Sequence, residues 1–170
     1  MKRTENVLAV IGLAIGAVFG ISGSMAKDSN LQISLYEISS IGMIAASALL
    51  AMKYIRSENI YIATGFLLLA IAESVMSGGS VAGQVGGQPS FAAGMALYVP
   101  ALLFIFIPKG FDLWIRIAGI VTTIPFLIAA SKIFYGGQVL STSALPGTGY
   151  GLLTVTFIGI IITLLRKYEA

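Results

Sequence analysis

Three ionisable side chains interrupt long apolar runs in this sequence: Glu37, Glu73 and Lys132. A charge at the centre of a bilayer costs about 3 kcal/mol or more, and less near the interface, so such groups face a cavity, a partner or a proton path. Hydroxyls accompany them. Ser40 and Ser47 follow Glu37 at helical spacing, which places all three on one face. Ser74 and Ser77 flank Glu73, and Tyr98 sits inside another apolar run, where its hydroxyl needs a partner. Counted from the nearest helix ends, the three charges lie about 5–10 Å deep at the helical rise per residue. Glu37, Glu73, Lys132, Ser40, Ser74 and Tyr98 therefore form the candidate pocket, and the expected function is a carrier or channel for a small polar or cationic solute. Lys132 precedes Gly136-Gly137 much as Glu73 precedes Gly78-Gly79, so the two are expected to pair. The plainer reading is a structural ion pair, or a lysine reaching the headgroups, with serines as packing residues.

Absent residue types narrow the chemistry. The chain has no histidine and no cysteine, which removes histidine-ligated haem, the usual zinc sites and thiol relays. Its seven acids are scattered, and no phosphate-binding glycine loop or nucleophile elbow is present. The expectation is a protein that is not an enzyme and needs neither metal nor cofactor. The net charge of +3 does not point to nucleic acid, because the basic residues stand in ones and twos at segment ends.

Gly12, Gly16 and Gly20 recur at four-residue spacing. Positions four apart share a helix face, and glycine there lets another backbone come close. That face serves either internal packing or docking of a partner. The second possibility supplies the alternative function, a non-transporting membrane subunit or scaffold.

These residues must be carried by membrane helices. Hydrophobic residues make up 57% of the chain and charged ones 10%, with a mean hydropathy of +0.95. A span needs roughly 20 apolar residues, and six such segments fill the chain at about residues 6–25, 31–52, 59–77, 90–107, 113–135 and 147–165. The fold class is therefore all-α, a polytopic bundle of six transmembrane helices forming a single domain over residues 1–170. Two uncharged, glycine-rich links, 78–88 and 136–146, join segments three to four and five to six. With the amino terminus inside, Lys2, Arg3, Lys53, Arg56, Lys109, Arg116, Arg166 and Lys167 gather on one side, and only Lys27 and Lys132 fall on the other. The positive-inside rule then puts both termini in the cytoplasm, in a bacterial inner or plasma membrane, with the pocket facing outward. Besides lipid, the expected partners are further copies of this chain or another membrane subunit.

Other features fit this frame. Lys2-Arg3, an apolar run and Ser24-Met25-Ala26 have the outline of a signal peptide, but the run is long enough to span and is read as a helix. Pro100 and Pro125 fall mid-segment and favour kinks. Trp114, Tyr61, Tyr135 and Tyr168 fall at segment ends, as interfacial anchors do. The stretches 72–79 and 130–137 share a spacing to the following proline and basic stop, so segments three–four and five–six read as equivalent hairpins, and segments one–two, with Gly23 before their turn, follow the same course as a third. In size and helix number the chain resembles the substrate-binding membrane subunits of vitamin importers, a likeness of architecture that carries no residues across.

Overall fold

A computed structural model describes the backbone of residues 3–169 and, within it, all side chains but those of residues 3, 84 and 167–169. Lys2 and the side chains of Arg3, Lys167 and Tyr168, read above as topological charges and an anchor, lie outside this description. The described chain runs α1 (Arg3–Met25), α2 (Ser29–Arg56), α3 (Ile60–Ser80), the short α4 (Gly83–Gly86), α5 (Gln88–Phe106), α6 (Leu113–Phe134) and α7 (Ala144–Glu169). All but α4 are long and apolar enough to cross a membrane. The protein is an all-α integral membrane bundle of six spanning helices.

Local chemistry sets the helix ends. The Asp28 carboxylate accepts from the Leu31 N–H at 2.8 Å and starts α2, and the Asn59 side chain does the same for Ile62 at 3.4 Å at the start of α3. Pro89 opens α5, where its missing N–H leaves no bond unmade. The Arg116 guanidinium donates to the carbonyls of Phe106 and Ile107 at 2.9 and 2.6 Å, closing the α5–α6 turn. Where α1 begins and α2 ends, Arg56 pairs with Glu5 at 2.9 Å and Lys53 donates to Asn6 at 3.0 Å.

The glycine-rich link after segment three departs from expectation. It is largely helical: α3 continues to Ser80, and α4 follows almost at once. The course breaks near Gly83, whose φ of 73° suits a residue without Cβ. Near lipid, unpaired backbone groups are costly, so glycine-rich sequence stays helical where it can. By contrast α6 stops at Phe134, and Gly136 at φ 83° turns the chain into a non-helical loop. Pro100 and Pro125 both lie inside continuous helices.

Each spanning helix packs on its sequence neighbours, and α1 also meets α7, so the six form a closed ring. Lipid is as apolar as leucine, so close packing rather than apolar burial holds such helices together. Close packing is what the glycines supply. A Cβ on Gly12 would lie 2.7 Å from the Gly42 carbonyl and 2.9 Å from Ala46, and one on Gly65 would lie 2.7 Å from the Ala101 carbonyl. The outer surface is apolar. Ile117, Val121, Ile124 and Ile128 stay exposed at three- and four-residue spacing along α6, as a lipid-facing stripe requires. Trp114, Tyr61 and Tyr135 are exposed at helix ends, where anchors belong.

Candidate functional site

The distal end of the bundle, opposite the termini, holds a cavity of about 280 Å³. Its walls come from α1, α2, α3 and α7, with Phe91 of α5 and the 136–143 loop at its upper edge. Helix α6 contributes none of the lining, although segment five was expected to do so through Lys132.

Two carboxylates reach this space, braced reciprocally across the α2–α3 seam. Glu37 on α2 accepts hydrogen bonds from the hydroxyls of Ser77 and Ser80 on α3. Glu73 on α3 accepts from Ser40 on α2 at 2.8 Å and from Tyr98 on α5. Helical spacing produces this crossing: Glu37 and Ser40 share a face of α2, while Glu73, Ser77 and Ser80 share a face of α3. Because Glu37 meets Ser77 and Ser80, Glu73 lies about one helical turn deeper. Glu37 is half-buried, whereas Glu73 is 6% exposed and Tyr98 fully buried.

Aromatic rings surround the deeper carboxylate. Tyr98 packs on Phe126 at 4.8 Å between ring centroids, and Tyr150 meets Phe126 edge-on at 5.3 Å. The Tyr150 hydroxyl points to the Met76 sulfur at 3.6 Å. Near the mouth, Gln32 donates to the Gly23 carbonyl at 3.2 Å, and Tyr36 interacts with Ser141 of the loop. Buried Gln88 clamps that loop: its amide donates to the Val139 carbonyl at 2.8 Å and accepts from the Val139 N–H at 3.3 Å. The clamp holds Val139 and Ser141 over the cavity.

The structure thus brings together Glu37, Glu73, Ser40 and Tyr98, with Tyr98 sealing the cavity behind Glu73 rather than lining it. Two expected members stand elsewhere. Ser74 is exposed and donates to the Ala70 carbonyl of its own helix at 2.9 Å. Lys132 is exposed in the last turn of α6, its stem folded over Gly137. The Glu73–Lys132 pair is therefore a mistaken expectation: among the described residues the ion pair within 4.0 Å is Arg56–Glu5. The cause is helix length. Glu73 sits two turns from the end of α3, which runs on to Ser80, while α6 stops two residues after Lys132. Ser47 is fully buried, and its hydroxyl is the buried side-chain polar atom left without a hydrogen-bond partner among the described residues.

The glycine face of α1 is occupied within the chain. Gly12 meets Gly42 and Ala46, Gly16 lies under Met43, and Gly20 faces the Ser39 hydroxyl, which donates to the Gly16 carbonyl at 2.7 Å. Gly16 and Gly20 also border the cavity. Sequence reasoning missed Tyr36, Tyr150, Ser80 and Gln32, and the pair Gly147 and Gly151 on α7. The four-residue spacing of that pair was a usable signal. No family model, curated protein or solved structure matches the chain.

Proposed function

We propose that this protein binds a small cationic solute in the distal cavity and carries it across the membrane, without enzymatic chemistry. One observation carries the reading: two carboxylates line the cavity, and no Lys or Arg among the described residues does. An ionised carboxylate in a poor dielectric calls for a counter-charge, and the hydroxyls bonded to Glu37 and Glu73 supply dipoles but no charge. A cationic guest supplies it. Because Ser77 and Ser80 hold Glu37 from one side only, a guest ammonium has an open approach through the cavity. With the termini in the cytoplasm, the mouth faces outward and the solute is taken from outside. The docking alternative loses its motive, since α2 fills the glycine face of α1.

The test is uptake into proteoliposomes and binding to purified protein. Tetramethylammonium and phenyltrimethylammonium form one arm, acetate the other. Uptake of at least one cation above protein-free vesicles, with none of acetate, is expected. Glu37→Gln and Glu73→Gln should each reduce it about tenfold or more while the protein still folds. Cation binding unchanged in both variants would overturn the reading.

A further inference from the structure

We propose that the solute is an organic ammonium ion bearing an apolar group, with its charged head at Glu37 and Glu73 and its apolar group against the α7 wall. This rests on the cationic reading above and narrows it. Size is the first argument. A cavity of about 280 Å³ sits at the lower end of small-molecule pockets, whereas a water takes up about 30 Å³. A bare inorganic cation would leave most of that space to water. Much of the wall offers water nothing: Ile33, Met43, Leu153 and Phe157 line it. Hard divalent ions also ask for six or more oxygens, and no cluster of three acidic or otherwise metal-ligating side chains occurs among the described residues.

Ring chemistry is the second argument. Tyr36, Phe91 and Tyr150 reach the cavity from three different helices. Aromatic faces attract desolvated ammonium groups, those with alkyl substituents included. A head group flanked by carboxylate and ring faces is held without metal-like coordination.

The third argument concerns shape. A Cβ on Gly147 or Gly151 would meet no atom within 4 Å, unlike Gly12, Gly42 and Gly65, where a neighbouring backbone stands within 3 Å. Both glycines line the cavity one turn apart on α7. They are not needed for helix packing, and their missing side chains keep the α7 wall open for the guest's apolar group.

The experiment compares phenyltrimethylammonium with tetramethylammonium, both permanently charged, on the purified full chain. Binding is read from the ligand-dependent shift of the unfolding midpoint, with potassium chloride and benzyl alcohol as controls. Phenyltrimethylammonium should bind about tenfold tighter than tetramethylammonium, and potassium and benzyl alcohol should produce no shift. Gly151→Leu should weaken phenyltrimethylammonium about tenfold and leave tetramethylammonium within about twofold. Should that variant fail to fold, Gly151→Ala is expected to show the same order with a smaller loss. Equal affinity for the two cations, or equal loss of both in the Gly151 variant, overturns the organic-ammonium inference and leaves the cationic site standing. Binding of both probes that is indifferent to Glu37→Gln and Glu73→Gln overturns both readings.

Discussion

Glu73 is held by hydroxyls from two different helices, Ser40 on α2 and Tyr98 on α5, so each partner's loss strands a buried polar group. An orphaned buried donor or acceptor costs about 1–3 kcal/mol, whereas removing both partners together can be nearly neutral. Tyr98→Phe should therefore destabilise the protein by about 1–3 kcal/mol and Glu73→Leu by at least as much, with the double variant falling short of their sum by about 0.5–3 kcal/mol. Unfolding of the four proteins in one detergent measures this; additivity within about 0.3 kcal/mol would show that the bond contributes nothing. Glu37, Glu73, Ser40 and Tyr98 were legible in the sequence because a polar group inside an apolar run has few places to go. Lys132 and Ser74 were misread for a different reason. Depth depends on where a helix stops, and direction depends on which neighbour arrives, and neither follows from local composition. Tyr36 and Tyr150 were hidden because a tyrosine near a helix end also serves as an interfacial anchor. Tyr150 stands on α7, which packs on α6 and α1, and it is seen to face the cavity only once its hydroxyl is found reaching Met76 of α3.

Helix pairs succeed here by the fit of glycines against different kinds of neighbour, and the kind decides how far a substitution can be absorbed. At Gly12 the obstacle is backbone: an added Cβ would stand 2.7 Å from the Gly42 carbonyl, which cannot yield without moving α2. At Gly16 the obstacle is the flexible side chain of Met43, whose sulfur would stand still closer to an added Cβ but can change rotamer. Gly12→Ala should thus cost more than Gly16→Ala, by about 1–3 kcal/mol, the usual range for overpacking. Gly16→Leu, too large for Met43 to avoid, should damage folding as well. Thermal unfolding ranks the variants, and a Gly16→Ala protein less stable than Gly12→Ala would contradict the packing described. The existence and order of the six spanning helices were legible, since hydrophobic length is set by the bilayer. The four-residue glycine spacing showed that α1 had a close neighbour and left open which one. That answer lies in Gly42 and Ala46 of α2, which are small residues in a run that looks like any other.

At the scale of the whole molecule, an even number of spans places both termini at one end and the cavity at the other. Among the described side chains, Lys53, Arg56, Lys109, Arg116 and Arg166 lie at the termini end, and Lys27 and Lys132 at the distal end. From the positive-inside bias over such short connections we propose that the termini lie in the cytoplasm and the carboxylates open to the exterior. Cysteine labelling tests this directly, because the native chain has no cysteine. Val81 and Tyr135, 91% and 92% exposed at the distal end, are suitable positions, and Ser57 is exposed at the other end. Gly83 is not, since its φ of 73° would strain any side chain. A membrane-impermeant maleimide added to intact cells should label Val81→Cys and Tyr135→Cys, and should label Ser57→Cys only after permeabilisation. The reverse pattern would turn the cavity toward the cytoplasm. The same two carboxylates would then collect their cation from inside, and the direction proposed for transport would have to be abandoned even if the site itself binds as described.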